Sequence, residues 1–341
     1  MKKIILSAAI AAICAAPMAT LAADNNLYGQ MRYSFNSVDD KTNADPTKHK
    51  DGLSGDDNVS LFGLKGTAGD EGGTQAFYHL QTGAPTDKNA TGSAFKQRFY
   101  FAGLKGGWGK AAYGRMTNAY KFDGFKLDPY YNLSHVNAGG SFATGGASYG
   151  LSPATNGFTD NSLQYTSPAF SGITINAGVY IDDSNEDDHG TGVGISWKGK
   201  GINVGLQFAS NAETAQTIPG VAADGSAMRL HGGYKADSWS VGASYETVDD
   251  TANTSTDYLY LVGRFNVAAK TELVATIGTV SPDELSSTIG AEGTGYQFGV
   301  FQTVVPKTQM YITYGTASLD NNAEDPSVIS VGAIHKFGFG G

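Results

Sequence analysis

Residues 173–181 have the sequence ITINAGVYI, in which apolar side chains alternate with small or polar ones. Residues 202–209, INVGLQFA, and residues 239–246, WSVGASYE, repeat the same alternation. A period of two places successive side chains on opposite faces of an extended chain, so each stretch predicts a strand with one apolar face. The chain after residue 23 shows no sustained helical period. The pattern therefore predicts an all-β protein.

The connections between the predicted strands alternate between short turns and long polar loops. Seven short turns and eight long loops require sixteen strands, with both chain ends on the short-turn side. The predicted strands span residues 26–38, 58–68, 74–83, 94–105, 110–116, 161–167, 173–181, 191–197, 202–209, 227–235, 239–248, 257–265, 271–280, 293–304, 308–318 and 326–337.

Sixteen amphipathic strands without a helix predict a closed, sixteen-stranded antiparallel transmembrane β-barrel. Closure pairs every backbone donor and acceptor, which a lipid environment requires. Short turns at one end, long loops at the other and aromatic girdles are typical of outer-membrane barrels. Four aromatic residues lie near predicted short turns, where a girdle is expected: Trp108, Trp197, Phe265 and Phe337. A soluble all-β repeat protein is the alternative.

The first 23 residues have the pattern of a secretory signal peptide. A basic start and an apolar run over residues 4–17 precede small residues, and cleavage is predicted after Ala22 or Ala23. Residues 24–341 are then predicted to form one barrel domain. The single Cys lies in the signal, so the exported chain has no thiol ligand, disulfide or Cys nucleophile. A formal net charge of −9 argues against nucleic acid as a partner.

The predicted third long loop spans residues 117–160. Six aromatic residues precede its glycine-rich half: Tyr120, Phe122, Phe125, Tyr130, Tyr131 and Phe142. A long irregular segment in a compact domain is usually functional or disordered, and disordered segments are normally poor in aromatics. We therefore expect this loop to pack against the rest of the barrel.

Short motifs occur in a fixed order along the chain. They are Leu27-Tyr28-Gly29, Phe62-Gly63-Leu64-Lys65-Gly66, Phe101-Ala102-Gly103-Leu104-Lys105 with Tyr113-Gly114-Arg115, Asn161-Ser162-Leu163-Gln164-Tyr165-Thr166-Ser167-Pro168 and Gly332-Ala333-Ile334-His335-Lys336-Phe337. This ordered set resembles the sixteen-stranded general diffusion porins of Gram-negative outer membranes. The resemblance implies a homotrimer and a third outer loop, residues 117–160, folded inward to constrict the pore. It also implies basic residues on the wall facing acidic residues on that loop.

Two positions depart from the family pattern. Leu61 stands where the family usually has an Arg before the Phe-Gly of the second strand, so one wall cation is missing. The family usually ends on the aromatic residue that the barrel-assembly machinery recognises, whereas Phe337 is followed by Gly338–Gly341. The assembly signal is therefore either shifted or atypical.

Charged side chains are costly on the lipid face near the midplane, so cations within strands are predicted to face the lumen. Residues two apart on a strand share a face, so Arg32 shares its face with Gln30 and Arg115 shares its face with Tyr113. Arg98 is predicted to lie on the face opposite to that of Phe99 and Phe101. The predicted basic wall of the constriction comprises Arg32, Arg98, Arg115 and Lys65.

The opposing charges are predicted to come from Asp123 and Asp128 on the long loop, whereas Asp160 is expected to begin the next strand. Cations on one wall and carboxylates on the other would orient polar solutes in a narrow throat. Alternatively, loop aromatics could stack on a sugar in a substrate-selective channel: Tyr120, Phe122, Tyr130 and Tyr131.

The sequence thus predicts an outer-membrane porin for passive diffusion of ions and small hydrophilic solutes, without cofactor or catalysis. Expected partners are a homotrimer, membrane lipid and lipopolysaccharide, and the assembly machinery. The alternatives are a channel selective for an anion such as phosphate or for a sugar, a non-conducting adhesin, and a barrel enzyme. Residues 146–150 match a hydrolase pattern around Ser148, but lack the strand–turn–helix context that this pattern needs.

An acidic cluster lies on a predicted outer loop: Asp182, Asp183, Glu186, Asp187 and Asp188. Carboxylate oxygens can bind Ca²⁺ or Mg²⁺. Solvated loop tips are the default interpretation, and no metal site is predicted.

Overall fold

The computed structural model describes residues 23–40, 51–86, 95–121, 125–133, 135–136, 142–143, 146–155, 157–183, 188–213, 215–249, 255–283, 292–320 and 325–339. The predicted signal peptide up to residue 22 and the final Gly340 and Gly341 lie outside these residues.

The strands are numbered in chain order. They are β1 (Ala23–Asp39), β2 (Gly52–Asp57), β3 (Leu61–Ala68), β4 (Gln75–Gly83), β5 (Lys96–Gly106), β6 (Gly109–Met116), β7 (His135–Val136), β8 (Phe142–Ala143), β9 (Thr159–Thr166), β10 (Ile173–Tyr180), β11 (Gly190–Gly199), β12 (Ile202–Ser210), β13 (Ser226–Lys235), β14 (Trp239–Asp249), β15 (Ser255–Ala268), β16 (Thr271–Pro282), β17 (Gly293–Val305), β18 (Thr308–Leu319) and β19 (Ser327–Phe339). Two 3-10 turns, Phe125–Leu127 and Pro153–Thr155, lie between β6 and β9.

The strands form one closed antiparallel sheet, apart from the small β7–β8 hairpin. Consecutive strands are neighbours, and β1 closes the ring by pairing with β19 from Leu27 opposite Phe339 to Asp39 opposite Ser327. Both β2 and β3 pair with β1, so they act as one interrupted strand. Counted in this way, the described residues form a barrel of sixteen strands, as the sequence predicts.

The strand boundaries agree with the predicted ones to within three residues, with one exception. Strand β2 lies inside residues 39–57, which were predicted as a loop. Its sequence Gly52–Asp57, GLSGDD, has little apolar alternation to identify it. Backbone pairing with β1 forms this strand instead, and Val59 with a φ of 68° marks the interruption before β3.

The barrel has an apolar outer surface and a polar inner one. On β12, Val204, Leu206 and Phe208 are 42–45% exposed, whereas Gln207 between them is 2% exposed. Alternation therefore directs apolar side chains outward, where lipid solvates them, and polar ones inward. No helix among the described residues is long and apolar enough to cross a membrane.

Exposed aromatic side chains mark the short-turn end of the outer surface. Trp108, Trp239 and Phe265 lie beside short turns and are exposed, and Trp108 stacks with Tyr165 at 6.3 Å between ring centroids. At the same end, β19 continues through Gly338 and Phe339, which pair with Tyr28 and Leu27. The last aromatic residue within a strand is therefore Phe339 rather than Phe337.

Candidate functional site

The segment between β6 and β9 contacts the inner, polar face of the opposite wall. Tyr120 is fully buried there and its hydroxyl donates to Glu246 Oε2 at 2.8 Å. Arg229 donates to the carbonyl oxygen of Tyr120 and its guanidinium carbon lies 4.6 Å from the ring centre. Arg229 and Glu246 face each other across β13 and β14. Two buried, oppositely charged groups of the wall thus hold one tyrosine of the segment.

Further along, the segment packs on the inner face of β16 and β17. The Tyr130 hydroxyl donates to the carbonyl oxygen of Val274 at 2.8 Å. Glycine on the wall permits close backbone approach: a Cβ on Gly278 would lie 1.9 Å from the Tyr149 carbonyl oxygen. Gly150, with a φ of +88°, turns the chain at this contact. The packing expected from the aromatic content of the loop is present.

The carboxylate of Asp128 organises the interior of the segment. It accepts from the backbone N–H of Tyr130 at 2.9 Å, from the N–H of Ser148 at 2.8 Å and from the Ser148 hydroxyl at 2.7 Å. The Tyr260 hydroxyl on β15 donates to it at 3.3 Å. Burial raises the pKa of Asp128, while these donors lower it. Ser148, the serine of the hydrolase-like pattern, is thus part of a buried brace.

These contacts change the interpretation of the loop residues. Asp128 was predicted to face the basic wall, but its oxygens are occupied by the brace. Tyr120 and Tyr130 were considered as sugar-stacking residues, but both are fully buried against the wall and offer no free ring face. Asp123 and Phe122 lie outside the described residues. Contacts with residues distant in sequence determine these side-chain orientations. The local sequence of an irregular loop does not predict such contacts.

Tyr131 connects the segment to the opposite, cation-rich wall. Arg32 on β1 donates to its carbonyl oxygen at 3.0 Å, and Arg98 on β5 hydrogen-bonds its side chain. Lys121 donates to the Tyr131 hydroxyl at 2.6 Å and to the carbonyl oxygen of Gly157 at 3.3 Å. Three cations from three parts of the chain therefore meet at one tyrosine.

Phe158 lies beside the same cluster. Its ring centre is 4.8 Å from the guanidinium carbon of Arg98, 5.5 Å from that of Arg115 and 5.2 Å from Lys121 Nζ. Cations at these distances are attracted by the negative face of the ring, and the attraction strengthens with desolvation. We call Arg32, Arg98, Arg115 and Lys121, with Tyr131 and Phe158, the cationic cluster.

Asp160 is the carboxylate that the structure pairs with this cluster. Its two oxygens accept from Arg115 Nη1 at 2.7 Å each. Asp160 lies in β9, as predicted, and its side chain is 68% exposed. Arg32, Arg98 and Lys121 each donate to a neutral oxygen: the Tyr131 carbonyl, Gln81 Oε1 and the Tyr131 hydroxyl, respectively. The described cluster thus contains four cations, one of which is bonded to the Asp160 carboxylate.

A β-bulge, not simple alternation, directs Arg98 inward. Phe99 pairs with Gln81 and Gln97 pairs with Thr82, so Arg98 is the extra residue of β5. Phe99 and Phe101 also face inward, where they contact His79, and the prediction that placed them opposite Arg98 was wrong. An arginine on the lipid face costs about 2–4 kcal/mol near the midplane. The bulge avoids that cost and allows Arg98 Nε to donate to Gln81 Oε1 at 2.9 Å.

Arg115 reaches the cluster at a second irregularity. Its in-phase neighbour Tyr113 is exposed on the outer surface, so phase alone would direct Arg115 outward. The pairing of β6 with β9 shifts register between Gly114 and Met116. At this shift the Arg115 guanidinium approaches Phe158 and Asp160 instead.

Burial alters the proton affinities of two loop members of the cluster. Desolvation lowers the pKa of Lys121 to about 7, and the positive charge of Arg98 acts in the same direction. Desolvation raises the pKa of Tyr131 to about 12, against the opposing influence of Arg98. Lys121 is therefore the cluster cation whose charge changes near neutral pH.

Lys65 lies on the inner face away from the cluster. Its Nζ is 5.3 Å from the ring centre of Tyr28, whose hydroxyl contacts His79 Nε2 and accepts from Gln81 at 2.7 Å. Leu61, the departure from the family pattern, is buried on the same face of β3. The wall has an apolar side chain at that position.

The acidic outer-loop residues do not assemble a metal group in the described part of the chain. No three His, Cys, Asp or Glu side chains converge there. Asp183 accepts from Asn161 at 2.6 Å, and Asp188 accepts from the N–H of Glu213. Glu186 and Asp187 lie outside the described residues.

Sequence reasoning missed several residues of the site: Lys121, Phe158, His79, Arg229 and Glu246. Arg229 and Glu246 carried a signal, because opposite charges at mid-strand positions of neighbouring strands predict an inward pair. Lys121 and Phe158 carried none, since both lie in irregular chain.

A family model described as Gram-negative porin matches residues 7–338. An outer membrane porin protein of Bordetella pertussis is 28% identical over 202 residues, which cover 55% of this chain and 50% of that protein. The match thus spans half the length of the curated relative.

Two solved structures share the fold. The anion-selective porin from Comamonas acidovorans has a TM-score of 0.70 at 17% identity, covering 93% of this chain and 100% of that one. The trimer form of OmpT of Vibrio cholerae has a TM-score of 0.64 at 15% identity, also covering 93% and 100%. At these identities the likeness shows the fold alone. The family match over nearly the whole chain, together with the closed sixteen-stranded barrel, shows that the chain belongs to the Gram-negative porin family of outer-membrane channels.

Proposed function

We propose that the protein is a porin for passive diffusion of ions and small hydrophilic solutes, with a constriction that favours anions. The observation that carries this proposal is the cationic cluster, in which wall arginines meet Lys121, Tyr131 and Phe158 of the segment that packs on the inner wall. A sixteen-stranded barrel is wide enough for a water-filled lumen, and charges at its narrowest point determine selectivity. The inward segment, residues 117–160, acts as the constriction loop.

The mechanism requires no chemical step. Arg32, Arg98 and Lys121 converge on Tyr131, and Arg115 supplies a fourth cation that Asp160 partly neutralises. In a narrow, low-dielectric passage, charge of one sign raises the local concentration of counter-ions. Small anions would thus enter more readily than cations, although the whole chain is formally −9.

The oligomeric state and the membrane surroundings that we propose for the channel are those of the Gram-negative porin family. A homotrimer is supported by the solved trimer form of the Vibrio cholerae protein, which has this fold. The anion selectivity stated for the Comamonas acidovorans protein agrees with a basic throat. Outer-membrane lipid and lipopolysaccharide would contact the apolar surface and outer loops, and the assembly machinery would recognise β19. No catalysis is proposed.

Single-channel recording in planar bilayers tests the conducting role. Purified protein is expected to give discrete steps whose size grows linearly with salt concentration for small ions. Protein that inserts and never conducts would refute the channel proposal and favour an adhesin. The conservative pair Arg98→Gln and Arg98→Lys separates charge from shape: Gln lowers the chloride preference and Lys retains most of it.

A further inference from the structure

A continuous series of ring contacts follows the inner face of β4 and β5. Centroid distances are 6.1 Å for Phe77–Phe101, 5.5 Å for Phe101–His79, 4.6 Å for His79–Phe99 and 5.0 Å for Phe99–Phe158. We call these five rings the aromatic ladder. It begins near the short-turn end of the barrel and ends at the cationic cluster.

Two adjoining cavities lie along this ladder. One, of about 270 Å³, lies between the wall and the constriction loop, and the other, of about 410 Å³, lies toward the short turns. Phe77, Phe101 and Lys110 line both. Phe77 and Phe101 of the ladder therefore present ring surface to both cavities.

The charged side chains that line the two cavities are all lysines. Lys110 and Lys126 line the smaller cavity, and Lys65, Lys105 and Lys110 line the larger one. Among the described residues that line them there is no Asp or Glu. Lys105 and Lys110 face each other across β5 and β6, so two like charges are neighbours on the inner face. An anionic group placed beside both would interact favourably with each of them.

We propose that the aromatic ladder and its lysines form a binding track for aromatic carboxylates, and this inference rests on the proposed channel function. The ring of such a solute stacks on Phe77, Phe101 or Phe99 in an offset or edge-to-face arrangement. Its carboxylate contacts the adjacent ammonium groups. Chloride and phosphate would interact with the lysines but not with the rings. Neutral apolar solutes would contact the rings but not the lysines, so only aromatic carboxylates use both.

The ladder also provides several sites in sequence. A solute that leaves Lys105 and Lys110 meets the next rings and then Arg98, Arg115 and Lys121 around Phe158. Conduction needs binding strong enough for entry, yet distributed over several weak sites so that release is possible. The track would therefore speed aromatic carboxylates through the barrel without trapping them.

The test compares benzoate with cyclohexanecarboxylate, which has the same charge and a similar size but no π face. Each is added to wild-type channels that carry chloride current in planar bilayers. We expect benzoate to reduce the chloride current saturably, at a concentration about 2- to 10-fold lower than cyclohexanecarboxylate requires, from the added ring–ring attraction.

Matched variants distinguish the contribution of the aromatic rings to block from that of the lysine charges. Phe101→Leu should remove the advantage of benzoate, whereas Phe62→Leu, an outer-surface change on β3, should keep it. Lys110→Gln should weaken block by both carboxylates, whereas Lys198→Gln, a lysine of β11 outside the two cavities, should not. Chloride steps in every variant report a folded, inserted barrel.

Two outcomes would overturn the inference while leaving the channel function intact. One is chloride conduction in which benzoate and cyclohexanecarboxylate block equally. The other is a benzoate advantage that survives Phe101→Leu and Phe99→Leu. Complete absence of chloride steps in wild type would instead refute the channel function, and the track with it.

Discussion

Tyr131 and Phe158 show how this barrel accommodates a cluster of like charges. Arg98 and Lys121 bond the Tyr131 side chain, and both also lie over the Phe158 ring. Aromatic faces and neutral oxygens stabilise these cations while their net charge persists. A carboxylate in the same position would weaken the positive field on which the proposed anion preference depends.

Lys121 should make the selectivity depend on pH. It is protonated below pH about 7 and neutral above, so the throat loses one positive charge as pH rises. Chloride preference in a salt gradient should fall between pH 6 and pH 8, on the order of one unit either side of this pKa. Lys121→Arg should remain charged and keep the preference, because arginine stays protonated.

The matched control is Lys121→Gln, which should show a low and flat chloride preference over the same range. A wild-type pH profile that Lys121→Gln reproduces would assign the titration to another group. The same pKa affects stability. Unfolded lysine titrates near about 10.4, so the unfolded state binds more protons between about pH 7 and 10, and folding stability should rise with pH there.

At the scale of elements, the constriction loop depends on the wall of β13–β17. Tyr149 and Gly150 pack directly on Gly278, and Tyr120 is held between Arg229 and Glu246. These contacts attach the described part of the loop to the inner face of the wall. In the proposed channel, the width of the passage would therefore depend on residues far from the cationic cluster.

Gly278→Ala should displace the loop. The new Cβ would meet the Tyr149 carbonyl oxygen at 1.9 Å, a contact that backbone must move to relieve. Single-channel conductance should change, with altered noise from a loosened loop. Gly263→Ala on β15 is the control, because nothing lies within 4 Å of its Cβ position. Identical conductance in both variants would contradict loop docking at Gly278.

Glu246→Gln should destabilise the barrel strongly. It keeps the shape but removes the buried negative charge that accepts from the Tyr120 and Ser152 side chains and lies opposite the fully buried Arg229, a loss of about 3 kcal/mol in the free energy of unfolding. Glu272→Gln removes the half-exposed partner of Arg264, 3.7 Å away, and should cost about 1 kcal/mol or less. Urea unfolding in detergent compares the two. Equal losses would show that the Arg229–Glu246 arrangement has no special weight.

At the scale of the whole molecule, local periodicity predicted the barrel and long-range contacts determined the site. Alternation located nearly every strand, because inner and outer solvents impose it residue by residue. It failed for Phe99 and Phe101, which face inward beside the bulge at Arg98, and at β2, whose polar sequence shows little of the alternation expected of a strand. The link from Tyr120 to Glu246 joins residues 126 positions apart, and nothing in either neighbourhood indicates the other.

The net charge of the whole chain need not have the sign that the proposed ion selectivity suggests. The chain is formally −9, yet four cations meet in the cationic cluster. Charges on outer loops are screened within about 8–10 Å at physiological salt, whereas those in a narrow throat act on every ion that passes. In the proposed channel, the charge of the throat is therefore expected to determine ion selectivity despite the negative charge of the whole chain.

The reversal potential in a KCl gradient across a planar bilayer tests this central claim most directly. The structure predicts a wild-type potential with the sign of chloride preference, which the double variant Arg98→Gln/Lys121→Gln moves toward zero while Lys198→Gln leaves it unchanged. A wild-type potential with the sign of potassium preference, or one that the double variant does not move, would contradict a basic constriction at this cluster.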